Sequence, residues 1–128
     1  MLWPDHCVQN SIGAEFHPKL NTERIQKIIY KGTDPNIDSY SAFFDNAHQK
    51  NTGLDAYLKE QHVTDVYIMG LATDYCVRYS VLDALELGYN TFVIVDACFG
   101  INKHPNDVIN ALGAMEDHGA QVINSCDL

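Results

Sequence analysis

The 128-residue chain predicts an α/β fold: a three-layer, doubly wound parallel sheet with helices packed on it, in a single domain over residues 1–128. Three observations carry that expectation. Short apolar runs rich in β-branched and aromatic residues alternate with stretches whose apolar residues recur at helical spacing. The intervals between them match βαβ units. Glycine, proline and asparagine stand at the breaks.

Leu54 to Glu60 places Leu54, Tyr57 and Leu58 at i, i+3 and i+4, which predicts a helix. Asp65-Val-Tyr-Ile-Met-Gly-Leu71 is short and apolar and predicts a buried strand. Cys76 to Leu87 carries Val77, Val81 and Leu85 on one stripe with Leu82 beside it, and Gly88 follows as a left-handed cap, so a helix is expected there. Thr91-Phe-Val-Ile-Val-Asp96 predicts a second buried strand. Pro105 and Asn106 open a helix bearing Val108, Ile109, Leu112 and Met115, stopped near Gly119, and Gln121 to Asn124 reads as a short last strand. The first half is less regular. Ile25, Ile28 and Ile29 fit a helix face, but Ile28-Ile-Tyr30 running into Lys31-Gly32 favours a strand. Gly32 to Asn51 holds Pro35 and several Asp and Asn, and reads as a long ordered loop of the functional kind.

Composition removes several classes of function. Eight Lys and Arg against 17 Asp and Glu leave a formal charge of −9, which repels phosphate backbones and anionic membranes. No nucleic-acid or membrane partner is therefore expected. The apolar runs fall far short of the roughly 20 residues that span a bilayer, and no leader pattern opens the sequence. Cys7, Cys76, Cys98 and Cys126 are widely spaced, which predicts reduced thiols in a cytoplasmic protein. A complete compact fold of this mass would keep roughly 6,800 Å² of the roughly 20,900 Å² that its extended chain exposes.

The strongest chemical signal is Gly70-Leu-Ala-Thr-Asp-Tyr-Cys-Val77. A strand ends, the chain turns, and a cysteine stands where a helix begins. Unpaired N–H groups and partial positive charge at a helix start favour a thiolate and can hold an oxyanion. The crevice beyond the strand C-termini is also where ligands bind in open parallel sheets. Spacing alone is satisfied equally well by a small buried residue, which is what an isolated cysteine most often is. Lys31, past the other candidate strand, can reach the same edge and support a thiolate, or be a solvated lysine. His6, with Asp5 and Cys7, is a weak metal signal, because adjacent residues cannot all face one ion and zinc takes three or four ligands. Asp96, ending its strand, suits either a helix cap or a loop partner.

Taken together, Leu2-Trp-Pro-Asp-His-Cys-Val-Gln-Asn10, Tyr30-Lys-Gly32, Asp38-Ser-Tyr-Ser-Ala-Phe-Phe44 and Gly70-Leu-Ala-Thr-Asp-Tyr-Cys-Val77 resemble the bacterial nicotinamidases, which are isochorismatase-like cysteine hydrolases. The motifs stand in that family's order over nearly the whole chain. The resemblance implies hydrolysis of nicotinamide, a small-molecule substrate, to nicotinate and ammonia in NAD salvage. It implies Cys76 as nucleophile, Lys31 as the lysine that holds the thiolate, and the N–H groups of Ala72 and Cys76 as oxyanion hole, with a cis peptide between Leu71 and Ala72. Trp3 matches an aromatic wall for the pyridine ring, Tyr40 and Tyr75 line its edge with Leu71, and His6 matches one ligand of a divalent metal, zinc or iron. Homo-oligomerisation is left open.

The sequence departs from the family in one respect. The family places its general base and further metal ligands upstream of Trp-Pro-Asp-His-Cys, on its first strand. On the resemblance, this chain corresponds to an N-terminally truncated form lacking that strand, with metal binding weak or absent. Asp5, Asp38, Asp74 and Asp96 are available carboxylates, none at the family's base position. That departure motivates a second outcome, a binding or structural remnant without catalysis, and within the hydrolase reading the variant is a sister amidase acting on another small amide. A flavodoxin-like nucleotide module lacks its phosphate-cradling glycine motif here.

Overall fold

A computed structural model of the chain describes residues 3–128; Leu2, the first residue of the Leu2–Asn10 motif, and Met1 lie outside them. The α-helices and strands all come from Leu54 onward. In chain order they are α1 (Leu54–Glu60), β1 (Asp65–Leu71), α2 (Arg78–Glu86), β2 (Asn90–Phe99), α3 (Asp107–Asp117) and β3 (Gln121–Ile123), with short 3-10 turns at Ile12–Ala14 and Ser125–Asp127.

The strands pair in parallel in the order β1-β2-β3. Ile68 lies opposite Val93, and Val93 opposite Val122, so these three side chains share one face. α2 and α3 pack there through Val81 and Met115, which with Val93 are wholly out of water. Each such burial is worth roughly 1.5–3 kcal/mol. α1 joins the same face beside them: Leu54 and Leu58 meet Phe43, Ala84 and Tyr89 over Val66 and Ile68. Tyr67 and Phe92 stack on the opposite face at 4.6 Å between ring centroids, and Met69 is exposed beside them. The described residues thus supply the sheet and one helical layer of the expected architecture. The accessible area is 9074 Å², a third more than the roughly 6,800 Å² of a compact protein of this mass.

Three boundaries differ from the sequence expectation. The first turn of the expected helix at Cys76 is a wider π-helical turn over Thr73–Val77, and the α-helix begins at Arg78. β2 runs on to Phe99 because the register shifts between Ile68 and Gly70, which lets Cys98 and Phe99 pair with Gly70 and Leu71. Ile28–Tyr30 is not a strand: no described strand pairs with it, and Tyr30 is exposed. β-branched and aromatic residues favour extended backbone, but a strand also needs a neighbour to exchange hydrogen bonds with. The loop from Gly32 to Asn51 is ordered by polar contacts. Asp45, buried, accepts the backbone N–H groups of Ala47 and Gln49 on one oxygen and of Lys50 on the other.

Candidate active site

The C-terminal end of β1 leads into the peptide bond Leu71–Ala72, which is cis as the resemblance implied. The carbonyl of Ala72 then accepts the N–H groups of Tyr75 and Val77, closing the turn that carries Cys76. Asp74 pins that turn to the chain that follows β2. Its buried carboxylate accepts the N–H of Ile101 at 2.9 Å and of Asn102 at 2.8 Å. Gly100 stands at the same junction, where a Cβ would lie 2.0 Å from Val108 Cγ2 and 3.3 Å from Asp74 Oδ1. The Val108 side chain therefore occupies the space that any Cβ at position 100 would need.

Lys31 arrives from the irregular half of the chain. Its Nζ donates to the carbonyl of Ser39 at 2.6 Å and to Cys76 Sγ at 3.4 Å. A cation on the thiol is the arrangement that favours thiolate. Cys98 contrasts with it: burial pushes its thiol up and its Sγ donates to the carbonyl of Ile94. Lys31 and Cys76 sit at one end of an open groove of about 490 Å³ that follows the free edge of β1, with Phe43, Leu58, Val66 and Leu71 along it.

An aromatic group adjoins the pair. Trp3 Nε1 donates to the hydroxyl of Tyr40 at 2.8 Å. Trp3 meets the Tyr75 ring edge-on at 4.9 Å, and Tyr40 meets Tyr75 at 5.6 Å and Tyr79 at 5.3 Å. Burial, and then the charge of Asp74, push the Tyr75 phenol up, so it stays neutral. The structure thus brings Trp3, Tyr40 and Tyr75 into one cluster. Tyr75 ties that cluster by sequence to Cys76, and Tyr40 ties it to Ser39, which holds Lys31.

His6 is the residue that finds no companions. Its ring lies 6.5 Å from Trp3, its Nδ1 is 2.7 Å from the carbonyl of Pro4, and the side chain is exposed. Among the described residues, no three His, Cys, Asp or Glu side chains come together to hold an ion. One imidazole does not make a zinc site, which needs three or four ligands. Among the described residues, His6 alone therefore does not fit a metal.

Of the carboxylates open to a general-base role, two are committed elsewhere. Asp74 holds Ile101 and Asn102, and Asp96 accepts both the N–H and the hydroxyl of Ser125, which holds its carboxyl below the usual carboxylate range. Asp96 is therefore a loop partner, one of its two sequence readings. Sequence reasoning missed Ser39, whose part is played by a backbone carbonyl and leaves no side-chain signal. It named Asp74 only as an available carboxylate and missed its hold on the N–H groups of Ile101 and Asn102.

With the geometry in place, comparison with known proteins supplies the lineage. The Isochorismatase domain matches residues 2–127. The chain belongs to the isochorismatase family. It is 49% identical over 126 residues to a nicotinamidase of Escherichia coli, covering 98% of this chain and 59% of that protein. It superimposes on an Acinetobacter nicotinamidase/pyrazinamidase with a TM-score of 0.94 at 47% identity, covering 98% of this chain and 60% of that one. A pyrazinamidase of Pyrococcus horikoshii, solved in complex with zinc, matches with a TM-score of 0.82 at 38% identity, over 96% of this chain and 63% of that one. This isochorismatase-family chain thus spans about three fifths of the length of the proteins it matches. No helix among the described residues is long and apolar enough to cross a membrane.

Proposed function

We propose that the chain carries the nucleophilic part of a nicotinamidase, an amidohydrolase that converts nicotinamide to nicotinate and ammonia in cytoplasmic NAD salvage. The observation that carries this reading is Lys31 Nζ at 3.4 Å from Cys76 Sγ, beside the Trp3–Tyr40–Tyr75 rings. The 49% identity to a nicotinamidase supports the choice of substrate.

The steps follow from the residues. The pyridine ring of nicotinamide packs against Trp3, with Tyr40, Tyr75 and Leu71 at its edge. The Cys76 thiolate, held by Lys31, adds to the carboxamide carbon, and the oxyanion so formed faces the N–H groups of Ala72 and Cys76. The C–N bond breaks and the amine leaves with a proton as ammonia, giving a nicotinoyl thioester on Cys76. Water then cleaves the thioester, releasing nicotinate and restoring the thiol.

No carboxylate is hydrogen-bonded to Cys76 or Lys31 among the described residues. Proton transfer in the 128-residue chain accordingly lacks the assistance of a positioned side chain, typically worth about 10²–10⁴-fold. The zinc of the Pyrococcus horikoshii protein has no counterpart in this reading. His6 alone gives weak metal affinity at most.

Ammonia release from nicotinamide, pyrazinamide and a simple aliphatic amide tests the reading, with Cys76→Ala as control. Slow release from the pyridine and pyrazine amides, lost in Cys76→Ala, is expected. Release that survives Cys76→Ala, or that is fastest on the aliphatic amide, would contradict it.

A further inference from the structure

The hydrogen bonds around Cys76 close into a ring that begins and ends on that residue. Its carbonyl accepts the hydroxyl of Ser80 at 2.6 Å. The same hydroxyl oxygen accepts the N–H of Ala42 at 2.8 Å. Three residues back along the chain, the carbonyl of Ser39 accepts Lys31 Nζ at 2.6 Å, and Lys31 Nζ returns to Cys76 Sγ at 3.4 Å. Ser80 is the member of this ring that joins the helix to the loop.

A serine one turn into a helix commonly bonds the carbonyl four residues back, which by itself is only a local contact. Here the hydroxyl is buried and also receives a donor from a loop 38 residues earlier in sequence. Its one proton and one of its lone pairs are both committed, so its orientation is fixed. Between Ser39 and Ala42 lies Tyr40, whose hydroxyl receives Trp3 Nε1. This contact therefore ties to the Cys76 turn and α2 the segment that carries both the anchor of the lysine and Tyr40 of the aromatic wall.

We propose that Ser80 is a positioning residue, whose hydroxyl fixes the 39–42 loop to the Cys76 helix and so holds the Lys31 cation at the thiol. The proposal rests on the reading of Cys76 as nucleophile and Lys31 as its partner. Without the hydroxyl, the Ala42 N–H loses its acceptor and the loop drifts from the helix. Lys31, anchored to that loop through Ser39, moves away from Sγ, and the thiolate loses its neighbouring charge.

The test reads thiol reactivity rather than turnover, so its failure is distinguishable from failure of the nicotinamidase reading. The 128-residue chain is alkylated with iodoacetamide, and the rate at Cys76 is divided by the rate at exposed Cys126 in the same sample by peptide mass. Ser80→Ala should lower that ratio about threefold or more at pH 7 and leave it nearly unchanged at pH 9.5, above the roughly 8.5 at which a free cysteine ionises. Lys31→Ala should do at least as much, and Ser80→Thr, which keeps the hydroxyl, should match the wild type.

An unchanged ratio at pH 7 in Ser80→Ala, with Lys31→Ala still lowering it, overturns the role of Ser80 and leaves the Lys31–Cys76 pair standing. A loss equally large at pH 9.5 also overturns it, because access rather than charge would then be the cause. No effect of Lys31→Ala overturns the pair and the proposal together. If Ser80→Ala does not fold, hydrogen exchange in the wild type decides. An Ala42 amide as protected as those of α2 is expected, and one exchanging as fast as exposed loop amides overturns the proposal.

Discussion

From Leu54 onward, helices and strands turn an apolar face to one core, and Val81, Val93 and Met115 are fully removed from water. Before Leu54 no described segment holds more regular structure than a three-residue 3-10 turn. There Ile12, Phe16, Leu20, Ile25, Ile28 and Tyr30 stand exposed. The two regions are held by different forces. The later one is fixed by burial. The stretch from Lys31 to Thr52 buries Phe43 in that core and is otherwise held by directional polar bonds: Asp45 to three backbone N–H groups, Ser80 to Ala42, Lys50 to Asp34, and the Thr52 hydroxyl to the carbonyl of Ala42. The candidate site lies across the boundary. Its cysteine, Cys76, stands in the π-helical turn that leads into α2, and Lys31 and the rings of Trp3 and Tyr40 come from chain held largely by hydrogen bonds.

That contrast is broken most severely by deleting core volume. Met115→Ala should cost about 2–5 kcal/mol, whereas Ile12→Ala, at a side chain 87% exposed, should stay within about 0.5 kcal/mol. Urea unfolding followed by circular dichroism checks both, and equal losses would mean that the first region is part of the same cooperative core. A smaller effect, about 1–3 kcal/mol, is expected of Gly100→Ala. Its new methyl group would collide with Val108 and press on the Asp74 carboxylate beneath the Cys76 turn. The same unfolding curve reads it, and a neutral result would mean that the junction yields without cost.

The smallest effect concerns pH. Tyr89 is buried where α1 meets the core, and its hydroxyl donates to Asp55 Oδ1 at 2.8 Å. Burial, and then that bond to Asp55, push its phenol up to about 12. The folded state thus holds this proton more tightly than the unfolded chain, whose tyrosines ionise near 10. The contribution is complete below pH 10 and is lost as pH rises towards about 12. Tyr89→Phe should lower stability at neutral pH and flatten its decline between pH 10 and 12. A decline just as steep in Tyr89→Phe would place the alkaline transition elsewhere.

What could be read from the sequence divides along the same boundary. α1 falls where periodicity placed it and β3 within one residue; β1 falls where its apolar, β-rich run placed it, but as a strand with one face exposed through Tyr67, Met69 and Leu71 rather than a buried one. The extension of β2 to Phe99 was not legible, since a register shift leaves no periodic trace. Ile28–Tyr30 misled for a complementary reason: composition reports a preference for extended backbone and says nothing about a partner strand. In the site, Cys76, Lys31, Trp3, Tyr40 and Tyr75 were legible as motif residues. Their placement was not, because it runs through the carbonyl of Ser39, the carboxylate of Asp74 and the hydroxyl of Ser80. His6 was legible only through the resemblance, as one ligand of a metal, and the structure places its ring 6.5 Å from Trp3.

The central claim is that Cys76, held by Lys31, takes up the acyl group of nicotinamide. Mixing the 128-residue chain with nicotinamide, quenching in acid and weighing the Cys76 peptide tests it most directly. The account predicts one nicotinoyl group on Cys76, absent from Cys76→Ala and diminished in Lys31→Ala. Ammonia release with no acyl group on Cys76, an acyl group on Cys7, Cys98 or Cys126 instead, or neither product at all would contradict it.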